Sequence, residues 1–82
     1  MWILTEAKEM LNLQDVTSFS FKGIANKYYV LASIRNNPNL MEVITLPSQK
    51  AAQLFLGYLH TEVEKKSHSV NVPIIKQRFL EE

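Results

Sequence analysis

Residues 16–46 read VTSFSFKGIANKYYVLASIRNNPNLMEVITL, and this stretch decides the fold. In its first part Phe19 and Phe21 alternate with serine and lysine. Side chains of a β-strand point alternately to the two faces of a sheet, so this alternation is typical of a half-buried strand. The pattern predicts a strand over residues 16–24 whose aromatic face packs on the core.

The remainder of the stretch predicts two more strands and two turns. Gly23 and Asn26 indicate a tight turn, since both residue types tolerate a positive φ. Residues 27–35 are apolar on both alternating faces, which favours a central strand. Asn and Pro at 36–39 predict the next turn, and the β-branched run at 40–46 predicts a third strand. Because the connections are short, these strands should form an antiparallel meander.

Upstream of the meander, two short segments are also prone to form strands. Residues 2–5 and 10–13 are rich in apolar side chains, and a charged cluster at 6–9 separates them. We expect both to join the meander. The sequence therefore predicts one antiparallel sheet of four to five strands.

Downstream of the meander, the hydrophobic period changes from that of a strand to that of a helix. Ser48 is a good N-cap, and the helical pattern runs from there to about Lys66. Gly57 should cost this helix about 1 kcal/mol relative to Ala, unless a close backbone approach requires it. The predicted fold class is α+β, with this one amphipathic helix packed on one face of the sheet. Its sheet-facing stripe consists of Ala52, Phe55, Leu56, Leu59 and Val63.

The C-terminal segment, residues 70–82, allows two interpretations. Residues 70–74 alternate apolar with polar, but Pro73 cannot donate to a β-ladder, so a strand here would have to be an edge strand. Ile75 and Phe79 are four residues apart, which fits a last helical turn or an arm that docks on a neighbour. At 82 residues the chain supports one hydrophobic core, so residues 1–82 are predicted to form a single domain.

Composition excludes several classes of protein. Apolar residues make up 46% and charged residues 21%, as in ordinary globular domains. Nine Lys and Arg against eight Asp and Glu give a net charge of +1, which is not the strong basic balance of nucleic-acid or anionic-lipid binding. The chain has no cysteine and no apolar run of about 20 residues. We therefore expect a cytoplasmic protein with no membrane span.

No motif in the sequence predicts catalysis or a cofactor. There is no P-loop, no dinucleotide-binding glycine turn and no nucleophile elbow, and the chain has only two glycines. His60, Glu64 and His68 recur at helical spacing and could hold a divalent metal. Chance His and Glu spacings are common, so we interpret them as a solvated polar face. The expectation is a protein that is not an enzyme, with no metal and no cofactor.

Aromatic strand residues raise the alternative of nucleic-acid binding. Phe19, Phe21, Tyr28 and Tyr29 lie on adjacent predicted strands, as in sheets that stack single-stranded bases. Basic residues are largely missing from these strands, and aromatic residues at strand spacing usually pack under a helix. Core packing is therefore the favoured interpretation.

A second apolar patch is predicted on the helix, away from its sheet-facing stripe. Leu54 and Tyr58 lie roughly 120–160° from the centre of that stripe. Together with Phe79 and Leu80 of the tail, they are the candidate interaction surface. Because so small a core is marginal, a homodimer or a complex with another protein is the expected use of this surface.

The order of short motifs resembles that of a known group of proteins. Trp2-Ile3-x-Thr5, Asn12-Leu13-x-x-Val16, a strand containing Tyr29 to Ala32 and a Ser-capped helix follow one another. This layout is similar to a family of small uncharacterised proteins of Gram-positive bacteria, their plasmids and their prophages. The resemblance implies a meander under one helix and no assigned activity, and it supplies no functional residues.

Two functions remain open from the sequence. The first is a non-enzymatic protein-interaction or self-associating module of a bacterial or prophage genome. The alternative is a small nucleic-acid-binding or regulatory protein of a mobile element.

Overall fold

The structure is a computed structural model, and it describes residues 1–66 and 68–80. Its described part is an α+β fold with two three-stranded sheets and two helices. A single turn of 3₁₀ helix at Leu13–Asp15 joins the second strand to the third. The elements in chain order are β1 (Trp2–Leu4), β2 (Met10–Asn12), β3 (Val16–Ile24), β4 (Lys27–Ile34), β5 (Leu40–Leu46), α1 (Gln49–Glu64), β6 (Ser69–Asn71) and α2 (Val72–Leu80).

The predicted meander is confirmed as an antiparallel sheet in the order β3-β4-β5, here called the meander sheet. Its central strand β4 buries Val30 and Ala32 completely. The register shifts between Val16 and Ser18 in β3, and again opposite Val30 and Leu31 of β4. The prediction of four to five strands in one sheet is wrong, because β1 and β2 do not join the meander sheet.

The turn between β3 and β4 differs from its prediction. Ala25 and Asn26 have positive φ values of 51° and 67°, whereas Gly23 does not have a positive φ. Gly23 instead lies in β3 opposite Tyr28, where an added Cβ would come within 2.7 Å of the Tyr28 ring. The glycine is therefore needed for the close approach of this ring and not for the turn.

β1, β2 and β6 form a separate mixed sheet in the order β2-β1-β6. β1 is antiparallel to β2 and parallel to β6. The middle residue of each of these short strands, Ile3, Leu11 and Val70, is buried, and the three lie in register. Side-chain alternation thus directs one apolar residue per strand into the core.

Helix α1 begins after Ser48, as predicted, and ends at Glu64, slightly earlier than predicted. The Ser48 Oγ accepts a hydrogen bond of 3.1 Å from the Ala51 N–H, which satisfies one of the free donors of the first turn. The sheet-facing stripe differs from its prediction at both sides: Ala51 is fully buried, and Val63 is 40% exposed. The buried residues of α1 are Ala51, Ala52, Phe55 and Leu59.

The edge-strand interpretation of residues 70–74 is confirmed in part: β6 reaches Asn71 and lies at the edge of the β2-β1-β6 sheet, whereas a second helix, α2, begins at Val72. Strand β6 ends at Asn71, whose side-chain Oδ1 accepts a hydrogen bond of 3.3 Å from the Ile74 N–H at the start of α2. Pro73 lies in the first helical turn, where its missing N–H breaks no helical hydrogen bond. The helix carries Ile75 and Phe79 against the core. Residues 81 and 82 of the predicted arm lie outside the described residues.

Buried side chains from both sheets and both helices belong to one hydrophobic core. Helix α1 lies over β4, β3 and β5, and α2 contacts α1, β5 and β1. Helix α1 therefore covers the meander sheet, whereas α2 fills the space beside α1 on its β5 side.

Candidate functional site

Strand β3 is a free edge of the meander sheet. It is nine residues long and pairs with β4 on one side. In the described part of the chain, no strand pairs with its other side. Natural edge strands are usually short or carry prolines and charges that discourage pairing, but β3 has no proline and only one charged residue, Lys22. It is therefore a long edge with little protection.

The hairpin fixes which backbone groups of β3 point outwards. Ile24 and Lys27 flank a two-residue turn, so they form a hydrogen-bonded pair. Hydrogen-bonded and non-bonded pairs alternate along an antiparallel ladder. The backbone N–H and C=O groups of Phe19, Phe21 and Gly23 consequently face the free side of β3.

A groove of about 380 Å³ runs between this edge and α1. One wall comes from the start of the meander and includes Leu13, Val16 and Phe19, and the other is the flank of α1 that carries Leu56, Leu59 and Val63. Apolar side chains thus line both walls, and the groove lies beside the first part of the open edge, from Val16 to Phe19.

The rim of the groove is polar. Thr17, Ser18 and His60 line it. The Thr17 hydroxyl donates to the Ser33 carbonyl at 3.2 Å, and the His60 Nε2 lies 2.8 Å from the Glu64 carboxylate. These side chains are well solvated, with His60 and Glu64 exposed by 75% and 68%. An apolar groove with a polar rim is the usual anatomy of a protein-binding surface.

The opposite edge of the meander sheet, at β5, is covered. The Glu6 N–H donates to the Val43 carbonyl at 2.9 Å, and the Glu6 carboxylate accepts a hydrogen bond of 2.7 Å from the Thr45 N–H. The same carboxylate pairs with Lys76 of α2. Glu6, in the connection that follows β1, therefore occupies the middle of the β5 edge, and α2 holds it there through Lys76.

The flank of α1 that faces away from the groove is covered by α2. The Phe79 ring packs edge-on against Phe55 and Tyr58, at centroid distances of 5.2 and 5.7 Å. Arg78 lies over the Tyr58 ring at 5.6 Å. Burial raises the pKa of the Tyr58 phenol above its usual value; the nearby Glu62 carboxylate raises it further, and Arg78 opposes the shift.

The structure divides the predicted interaction surface into two pairs. Tyr58 and Phe79 contact each other inside the fold, and Phe79 is only 8% exposed. Leu54 and Leu80 remain 41% and 40% exposed. The patch that the sequence indicated on α1 is thus partly occupied by the chain's own second helix.

The aromatic strand residues lie mainly under the helix. Phe19 and Phe21 pair in register with the buried Ala32 and Val30, and they pack against the core together with Tyr28. Tyr29 lies on the other face, since residues of a strand alternate. Phe19, Phe21 and Tyr28 therefore pack against the core, and the four rings do not form an exposed row on which bases could stack.

Of the three residues considered for a metal, two lie together. His60 and Glu64 pair on α1, whereas His68 follows the helix and its carbonyl accepts a hydrogen bond of 2.9 Å from the Trp2 N–H. No cluster of three His, Asp or Glu side chains suited to a metal occurs among residues 1–66 and 68–80.

The groove itself was not predicted from the sequence. The sequence predicts a core position for Phe19 and positions on the sheet-facing stripe of the helix for Leu56 and Val63. The available signal was the meander order: in a sheet of three consecutive strands the first is an edge, so a helix on that sheet has one flank beside a free strand. The expectation that β1 and β2 extend the sheet concealed this signal.

Neither helix in the described ranges is both long and apolar enough to cross a lipid bilayer. Comparison with known proteins gives no significant match to the chain, whether with family models, curated proteins or solved structures. The resemblance to small proteins of Gram-positive bacteria therefore remains a prediction.

Proposed function

We propose that the protein is a non-enzymatic interaction module that binds an extended polypeptide strand along the edge of β3. The observation that carries this proposal is the juxtaposition of a free nine-residue edge with an apolar groove. Strand addition uses the backbone groups of an edge for affinity and neighbouring pockets for side-chain specificity. Both components occur at this site.

The bound strand would occupy the space between β3 and α1. Its backbone would pair with Phe19, Phe21 and Gly23, whose N–H and C=O groups face outwards. Its alternate side chains would enter the groove and contact Leu56 and Val63 of the helix. Burial of these apolar side chains, at about 25 cal/mol per Å² of apolar surface, would add to the binding free energy of backbone pairing.

The polar groups at the rim are poorly arranged for catalysis. Nucleophilic catalysis requires a hydroxyl within hydrogen-bond reach of a base. Within the described residues, the Thr17 hydroxyl donates instead to a backbone carbonyl, and no hydrogen bond joins His60 to Ser18. The proposed function is therefore recognition without chemistry, in a cytoplasmic protein as the absence of cysteine favours.

The proposal can be tested by peptide selection with two matched variants of α1. Val63 and Leu54 are 40% and 41% exposed on opposite flanks of this helix. We expect extended peptides selected from a display library to bind the wild-type chain and Leu54→Lys equally. Val63→Lys should weaken them about tenfold or more, because it places a charge in the groove.

Backbone amide exchange of the same samples completes the test. A bound peptide should slow exchange at Phe19, Phe21 and Gly23. The proposal is wrong if these amides exchange as exposed groups with every selected peptide and at every protein concentration. Binding that is lost in Leu54→Lys and retained in Val63→Lys would instead assign the function to the surface around Leu54 and Leu80.

A further inference from the structure

We infer that the strand bound at this edge is β3 of a second copy of the chain, so that two copies form one continuous six-stranded antiparallel sheet. This inference rests on the proposed function and names its partner. In the joined sheet the strand order would be β5-β4-β3-β3-β4-β5. A two-fold axis perpendicular to the sheet would pass near Ser20, the middle residue of β3.

Such an assembly would stop at two copies. Open edges normally allow unlimited addition of strands. Here the β5 edge is held by the Glu6 backbone and carboxylate, and Lys76 of α2 pairs with that carboxylate. Pairing of the two β3 strands would leave a covered edge at each end of the joined sheet. The result is a closed, isologous dimer and not a fibre.

The charges along β3 are complementary to those of an antiparallel second copy. Asp15 immediately precedes the strand, whereas Lys22 lies near its other end and Lys27 follows the hairpin turn. An antiparallel pair places the Asp15 end of each copy beside the lysine end of the other. A parallel pair would align like charges, which is unfavourable. The charge order of the strand therefore matches its own two-fold copy.

The shape of the groove also fits a second copy. A two-fold axis perpendicular to the sheet keeps both α1 helices on the same face. Strands lie about 4.8 Å apart, so the two β4 strands would be about 14 Å apart, with the helices above them. Leu56 and Val63 of each copy would then lie above the joined strands, where Phe19 of one copy is opposite Phe21 of the other. Each groove would be filled by the apolar flank of the other copy's helix.

Oligomeric state in solution tests this inference. We expect sedimentation equilibrium from low micromolar to near-millimolar concentration to show a reversible monomer–dimer equilibrium. Val63→Lys should raise the dimer dissociation constant about tenfold or more, since it places a charge in each of the two buried grooves. Leu54→Lys should change it by less than about threefold, as expected for a residue outside the interface.

Cysteine cross-linking tests the register, because the natural chain contains no cysteine. Ser20 would form a non-hydrogen-bonded pair with its symmetry mate, with Cα atoms about 4.5 Å apart, which suits a disulfide. We expect oxidised Ser20→Cys to form a covalent dimer efficiently. Ser33→Cys is the matched control, since Ser33 lies on the same face of the central strand β4 and should remain monomeric on oxidation.

The outcomes separate this inference from the proposed function. A chain that stays monomeric at all concentrations, or a dimer that Leu54→Lys disrupts and Val63→Lys does not, overturns the inference. Equal cross-linking of Ser20→Cys and Ser33→Cys does the same. If selected peptides still slow amide exchange at Phe19, Phe21 and Gly23 in such a monomer, the interaction function stands with a different partner. If they do not, both proposals fail.

Discussion

The two edges of the meander sheet differ in how the chain treats their backbone groups. At β5, a residue distant in sequence, Glu6, supplies a backbone donor and a carboxylate, and Lys76 of α2 pairs with that carboxylate. At β3, nine residues run along the surface with an apolar groove beside them. An open sheet edge is therefore specific to β3 and does not follow simply from the small size of the fold. The chain covers one edge and leaves the other open next to a binding groove.

The flanks of α1 repeat the same contrast. Phe79 of α2 packs on the flank that carries Tyr58, whereas Leu56 and Val63 on the other flank line the groove. One small helix at the C-terminus thus covers one flank and secures the β5 edge. Substitutions on the covered side, at Phe79 and Glu6, should therefore have the largest effects on stability.

Phe79→Ala should give the largest loss of stability. Phe79 is buried against Phe55 and Tyr58, and truncation of a buried Phe costs about 3–5 kcal/mol. The unfolding free energy from urea denaturation measures this loss. Val63→Ala on the open flank is the control and should cost less than about 1 kcal/mol. Equal losses in the two variants would contradict the assignment of covered and open flanks.

Glu6→Ala should partly open the covered edge. It removes the acceptor of the Thr45 N–H and the partner of Lys76, and loss of a charged hydrogen bond costs about 1.5–3 kcal/mol. The backbone N–H of residue 6 can still donate to the Val43 carbonyl, so the β5 edge should lose part of its cover, and association should extend beyond a dimer at high concentration. Light scattering at increasing concentration measures this. Glu9→Ala, a substitution in the same connection between β1 and β2, is the control. This variant should not form assemblies larger than a dimer.

Gly57→Ala should stabilise the protein by about 1 kcal/mol, because Ala has a higher helix propensity than Gly. An added Cβ at Gly57 meets no atom within 4 Å, so the close backbone approach considered from the sequence does not occur. Thermal unfolding measures the gain. A loss of stability would show that this face of α1 is also in contact with another part of the molecule.

Tyr58→Phe should remove a small alkaline sensitivity of the covered flank. The pKa of Tyr58 is raised above 10.0 in the folded state, mainly by burial, so folding favours its neutral form. The resulting stability is present below pH 10.0 and is lost as pH rises through the raised pKa. The difference in unfolding free energy between wild type and Tyr58→Phe should therefore shift against the wild type in this alkaline range. A constant difference across it would contradict burial of the phenol.

Local patterns predicted the meander and the first helix well. Alternation around Phe19 and Phe21 and the Asn-rich turn at 36–39 encode the strands, and Ser48 encodes the start of α1. These signals depend on residues that are close in the sequence, so they can be recognised from one amino-acid sequence alone.

Features that depend on distant residues were not predicted. The parallel pairing of β1 with β6 joins the two ends of the chain through three residues per strand. Pro73 suggested an edge strand, although proline is equally acceptable in the first turn of a helix. The sequence allows a last helical turn at Ile75 and Phe79 but does not place it against α1, so it predicts an open flank around Tyr58 and a covered flank around Val63. The groove remains open because α2 packs on the opposite flank of α1.

Amide hydrogen exchange at the two edges, measured at low and high protein concentration, distinguishes an open β3 edge from a covered β5 edge. The Thr45 amide, which is bonded to Glu6, should be protected at every concentration. The amides of Phe19, Phe21 and Gly23 should exchange rapidly in dilute protein and become protected as the concentration rises. Rapid exchange of these three amides in fully associated protein would contradict pairing at β3, and their protection in a dilute monomer would show that this edge is not open.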